Sequence, residues 1–331
     1  MGAVGYSVAL EQFSPAEALQ LSAAAEQEGF SGLMAADHFQ PWVPTQGQSS
    51  FVWTFLGSAA ERTRGPLGPG VTCPGFRMHP ALVAQAAATL EAAYPGRTWL
   101  GLGAGEALNE AFLGQYWPGP GTRVERLFEA VGLIKRLFAA SAEGRSIRYE
   151  GKHFTMESAR LWTFPPAPPP IMIAAGGPVV ARRAGQTADG LILAAADPAK
   201  LDRLMHAFDK GAQEAGMAPQ ALPRWIQIHL SWAPTMEEAE AQALREWPNG
   251  GMAFPKADIR SCHDLEQMAR LVRPEDFAGR MVISEDPDVH RARLQSYLDM
   301  GFSKLYIHNV GRNQLEWLQV FGRDVLPALH G

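Results

Sequence analysis

The feature that most constrains this chain is an alternation of short apolar runs with helix-length stretches whose apolar residues fall at helical spacing. The runs are Val4 to Ala9, Gly32 to Ala36, Leu67 to Thr72, Thr98 to Gly103, Ile171 to Ala174, Gly190 to Leu193, Trp225 to Trp232 and Lys304 to His308. A strand covered on both faces loses the in-out alternation of a half-exposed one, so most of these read as buried parallel strands. Helices are predicted from a Ser14 cap to Gly29, over Phe51–Arg62, from Pro80 through Tyr94, and over 122–140, 198–215, 288–300 and 314–326. Eight strands alternating with helices predict an α/β protein, a (β/α)8 TIM barrel; a doubly wound Rossmann sheet is the alternative.

Two segments fall outside the repeating unit. Near 141–165, period-two alternation across Tyr149 to Phe154 predicts an inserted β-hairpin, and Pro165–Pro170 a proline-rich connector. Near 235–279 lies a helical insertion interrupted by Pro and Gly. Residues 1–331 are expected to form a single barrel domain carrying both insertions. With 47% apolar and 19% charged residues, the chain can bury a large core without disulfide or metal.

Charge and cysteine usage exclude several classes. A net charge of −5 without long blocks argues against nucleic acid and anionic membrane surfaces. Cys73 and Cys262 lie far apart, neither in a CxxC, so no disulfide framework or zinc knuckle is implied. No histidine pair has metal-ligand spacing, and no metal is expected. The start lacks a basic leader, and no apolar run approaches the roughly 18 residues of a membrane span, so a cytoplasmic protein is expected.

One stretch concentrates reactive groups: Asp37, His38 and Trp42 follow the second apolar run, where a parallel strand would present its C-terminal end. Ligands bind at that end in barrels and open α/β sheets alike. Taken singly, Asp37 can be a helix cap, His38 a loop histidine and Trp42 a lid over core. Gly101, Gly103 and Gly105 are spaced GxGxG rather than GxGxxG and follow the fourth run, which is weak evidence for a dinucleotide loop. The same segment puts Glu106 at a strand end with Asn109 one turn on; Glu106 is either a macrodipole-stabilised helix acid or, paired with His38, a proton relay. Gly176-Gly177 before Pro178 offers backbone N–H groups that suit a phosphate, or is simply a tight turn. Cys73 reads equally as a packing residue. Lys256 and Arg280 matter only for an anionic substrate. No Gly-x-Ser-x-Gly elbow is present, against a serine hydrolase.

Glu11-Gln12-Phe13, Ala36-Asp37-His38-Phe39-Gln40-Pro41-Trp42, Thr72 to Arg77, Tyr94 to Arg97, the segment from Gly101 to Glu110 and Ala174 to Pro178 together resemble the F420-dependent glucose-6-phosphate dehydrogenase group of the luciferase-like monooxygenase superfamily. The resemblance spans nearly the whole chain and implies a luciferase-like barrel holding coenzyme F420 at its C-terminal mouth. It implies that Asp37, Cys73, Asn109 and Ala175 contact the cofactor, that Gly176 and Gly177 receive its phosphate, and that Gly70–Val71 is a non-prolyl cis peptide behind the deazaflavin ring. Such a bond costs about 3–4 kcal/mol and is confined to sites that impose it.

The activity implied is transfer of hydride from C1 of a sugar phosphate to the deazaflavin C5. Glucose-6-phosphate, yielding 6-phosphogluconolactone, is the leading candidate. His38 is the implied base, with anion stabiliser as a rival role; Glu106 serves the cofactor's N1 side and Trp42 packs at the reacting centre. Lys256 and Arg280 fall on two of three phosphate-binding positions, whereas the third lies in Ala194-Ala195-Ala196-Asp197, which has no base. Lys200 is near but on the far side of Pro198. A homodimer is implied. The rivals are an FMN-dependent luciferase-like monooxygenase and a non-catalytic F420-binding protein.

Overall fold

The computed structural model describes residues 3–330. Its strands are β1 (Val4–Val8), β2 (Leu33–Ala35), β3 (Leu67–Pro69), β4 (Leu100–Leu102), β5 (Ile147–Glu150), β6 (Thr155–Ala159), β7 (Ile171–Ala174), β8 (Gly190–Ala194), β9 (Arg224–Ser231), β10 (Val282–Ile283) and β11 (Lys304–Asn309). Eight of them run parallel in the order β3-β2-β1-β11-β9-β8-β7-β4, and bridges Leu67–Thr98 and Thr72–Leu102 join the two ends. The predicted barrel is therefore the fold. The Rossmann alternative fails because the sheet returns on itself.

The strands at the joint are shorter than their apolar runs. β3 stops at Pro69, and the next peptide, Gly70–Val71, is cis, as the resemblance implies. Here the glycine spacing of the fourth run finds its reason. A Cβ on Gly101 would lie 2.1 Å from the Pro69 carbonyl oxygen, and one on Gly103 2.6 Å from Val71 Cγ2. The glycines let β4 approach β3 closely, which is packing rather than phosphate recognition.

Side chains alternate between the barrel's two faces. Leu33, Leu100, Ile173, Leu191, Ile226 and Leu305 are buried against the helices outside. Met34, Trp99, Met172, Ile192 and Tyr306 form a separate cluster, with Trp99 5.7 Å from Tyr306 and 5.1 Å from Trp225. This plug fills the interior, as barrel cores require, and leaves open space only at a mouth.

Helix starts follow the sequence signals. Ser14 and Glu17 form a capping box before Pro15–Gln27, and Pro occupies N1 at Pro80, Pro120, Pro178, Pro198 and Pro287. The helix predicted over 122–140 extends to Pro120–Ala142. The closing helix is α-helical only over Gln314–Val320, then passes into a π turn, Phe321–Val325, where Gly322 packs on the Glu28 carbonyl.

β5 and β6 form the antiparallel hairpin read from the period-two stretch. After β9 the chain carries helices Met236–Glu246 and Cys262–Ala269 before β10, which pairs with β9 off the main path. No helix among the described residues is long and apolar enough to cross a membrane.

Candidate active site

Above the plug, the carboxyl ends of the strands and the loops after them surround a cavity of about 390 Å³. That is within the roughly 300–1,000 Å³ of small-molecule sites. Asp37, His38, Trp42, Gly70, Val71, Cys73, Glu106, Asn109, Ala175 and Gly176 all line it, although they come from strands distant in sequence. Gly177 stands one residue further, as the N-cap of Pro178–Thr187. Lys256 and Arg280 are not on the lining.

His38 sits between two carboxylates. Its Nδ1 meets Glu11, which is 3% exposed, and its Nε2 lies 3.2 Å from Glu106 Oε1. Burial alone would lower its pKa, but the charge and hydrogen bond of Glu11, then the charges of Glu106 and Asp37, outweigh it and lift the pKa from 6.5 to about 9. Glu11 answers in kind: burial raises its pKa, and His38 more than offsets that. That rise favours the imidazolium at neutral pH.

Asn109, expected at the cofactor, is also the clamp of the His38 loop. Its Oδ1 accepts from the Phe39 and Gln40 N–H groups at 2.8 and 2.9 Å, while Nδ2 donates to Glu106 Oε1 at 2.8 Å. One amide thus fixes the loop and aims the carboxylate. Trp42 stands edge-on to His38, with centroids 5.4 Å apart, and its buried indole N–H finds no hydrogen-bond partner among the described residues.

Behind Asp37 lies an Arg77-centred cluster. Thr72 donates to Asp37 Oδ2 at 2.8 Å, and the Arg77 guanidinium lies 3.1 Å from Asp37 Oδ1 and 3.1 Å from Glu110 Oε1. Burial raises the Glu110 pKa to about 7 against the opposing pull of Arg77, with the Asp37 charge adding to the rise. Burial, with Glu110, pushes the Cys73 thiol well above its usual range, so it is no thiolate. Gly105 has φ +74°, and a Cβ there would lie 2.5 Å from Cys73 Sγ.

The far wall carries residues that sequence reasoning missed. His229 and His308 end neighbouring strands β9 and β11 in register, and both line the cavity with Trp247. The one signal in the sequence is that each histidine lies near the C-terminal end of a predicted strand; their meeting depends on the β9–β11 register. Trp247, from the second insertion, stacks on His229 at 4.4 Å. The same insertion is tied to the site's floor: the Ala107 N–H donates to the Ala257 carbonyl at 2.8 Å, next to Lys256. Burial and the neighbouring Arg280 charge lower the Lys256 pKa, and the Glu106 charge opposes them. Among the described residues no group of three or more His, Cys, Asp or Glu is placed to hold a metal.

A parallel barrel with charged and aromatic side chains gathered at the carboxyl ends of its strands defines the class of barrel enzymes. More narrowly, the chain belongs to the luciferase-like monooxygenase family, whose model matches residues 2–304. It is 36% identical to an F420-dependent glucose-6-phosphate dehydrogenase of Microbacterium testaceum over 98% of this chain and 96% of that one, and 37% identical to one of Segniliparus rotundus over 98% and 97%. Among solved structures, an F420-dependent secondary alcohol dehydrogenase in complex with an F420-acetone adduct superposes with a TM-score of 0.94 at 28% identity, covering 100% of this chain and 99% of that one.

Proposed function

We propose that this protein is an F420-dependent oxidoreductase that removes hydride from C1 of a sugar phosphate, with glucose-6-phosphate, oxidised to 6-phosphogluconolactone, as the leading substrate. The observation that carries the reading is the convergence of His38, Trp42 and Glu106 on one cavity, in a chain so similar to dehydrogenases of that name.

The residues present suit the cofactor. Nothing lies within 4 Å of a Cβ built on Gly176 or Gly177, at the start of a ten-residue helix, which leaves room for a phosphate on backbone N–H groups. Gly70 and Val71 would back the ring, with Asp37, Cys73, Asn109 and Ala175 around it. When bound, F420 supplies a carbon, C5 of its deazaflavin, that accepts hydride.

The chain's own residues do the rest. The His38 imidazolium and the unpartnered Trp42 N–H stabilise negative charge on the C1 oxygen as its proton leaves, a role for preorganised donors worth about 10²–10³-fold in rate. Glu106, aimed by Asn109 and 3.2 Å from His38, accepts that proton as a carboxylate and releases it to solvent through its partly exposed side chain. Lys256 and Arg280 would hold the phosphate outside the described cavity, the guanidinium bidentately. The stretch of the third position, Ala194 to Asp197, has no base, and its Ala194 lies on the cavity wall, so two cations share the grip. The working form is proposed to be a cytoplasmic homodimer, each chain one barrel domain.

Anaerobic mixing of protein, F420 and single sugar phosphates tests the reading. Loss of the oxidised cofactor's absorbance with glucose-6-phosphate supports it. An oxygen requirement with FMN would support the monooxygenase instead, and binding without turnover across the panel a non-catalytic protein.

A further inference from the structure

The far wall holds a hydrogen-bond chain that this chemistry leaves unused. His229 Nδ1 and His308 Nδ1 are 2.9 Å apart, so one must carry a proton and the other accept it. The direction is set from outside the cavity. Gln12 Nε2 donates to the Val310 carbonyl at 2.8 Å and to Glu246 Oε2 at 3.2 Å, which turns Gln12 Oε1 toward His308 Nε2, 2.9 Å away. The anchor is firm, because Arg245 and Arg312 each hold Glu246 Oε1 at 3.0 Å.

An amide oxygen can only accept, so His308 Nε2 donates. A neutral imidazole has one N–H, so His308 Nδ1 accepts and His229 Nδ1 donates. His229 Nε2 is then a bare lone pair, and no hydrogen bond reaches it among the described residues. A second proton on either ring is disfavoured: burial pushes His229 down to about 4 against the charge of Glu11, and burial with His229 takes His308 well below 6.5.

A lone pair on a cavity wall welcomes an O–H and repels a phosphate oxygen. Resting on the sugar-phosphate reading, we propose that His229 is a specificity-determining residue whose Nε2 accepts from a substrate hydroxyl other than the one oxidised. Gln12 and His308 are positioning residues that hold its tautomer. The site is thereby matched to a polyhydroxylated substrate, with the phosphate turned toward Lys256 and Arg280.

Two measurements test this. Ring-nitrogen NMR of the cofactor-free protein, assigned with His229→Gln and His308→Gln, is expected to show His229 protonated only at Nδ1 and His308 only at Nε2, both neutral from pH 6 to 8. The opposite tautomers, or a cation in that window, overturn the relay whatever the substrate. In turnover, the wild-type protein should disfavour one of the 2-, 3- and 4-deoxy analogues of glucose-6-phosphate by about 10- to 100-fold in kcat/KM, the loss expected when a buried polar group goes unpaired. His229→Phe should cut that preference to within about threefold at unchanged F420 affinity, and His229→Gln, which keeps a donor and an acceptor, should restore part of it. Equal discrimination by wild type and His229→Phe overturns the proposal. Absence of any glucose-6-phosphate turnover with the tautomers as assigned overturns the substrate reading instead.

Discussion

His38 and His229 line the same cavity and are driven to opposite charge states. Burial pushes both pKa values down, yet His38 rises to about 9 and His229 falls to about 4. The difference lies in the partners. His38 is gripped by Glu11 on one nitrogen and faces Glu106 on the other, whereas the nearest ring-nitrogen partner of His229 is another imidazole. Shared burial makes the carboxylates decisive, because a low-dielectric wall strengthens whichever charge stands closest. On the proposed chemistry, one wall of the cavity then meets developing negative charge, and the other offers a neutral acceptor.

Of the two histidines, His38 is the more sensitive to substitution. His38→Gln keeps the volume and a donor but removes the cation, and kcat is expected to fall by about 10²–10³-fold with F420 affinity little changed; a fall under tenfold would remove His38 from the reacting centre. Next in size is the phosphate grip. Arg280→Ala should raise the KM for glucose-6-phosphate by about 10- to 100-fold, the worth of a charge-assisted hydrogen bond, while Lys200→Ala leaves it unchanged. Equal effects from the two would move the phosphate to the Lys200 side of the mouth.

Asn109→Ala strips the Phe39 and Gln40 N–H groups of their acceptor and should cost about 1–3 kcal/mol of stability. Thermal unfolding reads the loss, and hydrogen exchange should place it in the loop that carries His38.

The smallest effects lie in the pH dependence of stability, where the two histidines act on opposite limbs. His38, raised from 6.5 to about 9, contributes stability that is full below pH 6.5 and is lost as pH rises through about 9. His229, lowered from 6.5 to about 4, contributes stability that is present above pH 6.5 and is lost as pH falls through about 4. In unfolding curves, His38→Gln should flatten the alkaline limb and His229→Phe the acid limb. A single limb moving in both variants would deny the distinction.

The two walls also differ in how legible they are. The barrel, most strand positions and the His38 wall can be read because Asp37, His38, Trp42 and Glu106 each follow a strand within a few residues, and local spacing marks their end of the fold. The partner of His38 is not marked in this way. Glu11 follows the first strand, and nothing local says that it will meet an imidazole 27 residues on from it, at the carboxyl end of the neighbouring parallel strand β2. His229 and His308 are 79 residues apart and become neighbours only through the β9–β11 pairing. The alternation around His229 reads as an ordinary strand, and Trp247 arrives from an insertion whose irregular Pro and Gly pattern predicts no contact. The glycine run was legible in composition and opaque in purpose, since its cause is the approach of a strand from another part of the chain.

Direct passage of hydride from the sugar carbon to the deazaflavin within this cavity is tested by anaerobic turnover of glucose-6-phosphate deuterated at C1, with mass analysis of the reduced cofactor. One deuterium retained at C5 of F420 is the expected result; reduced cofactor carrying only solvent hydrogen at that carbon would rule direct transfer out.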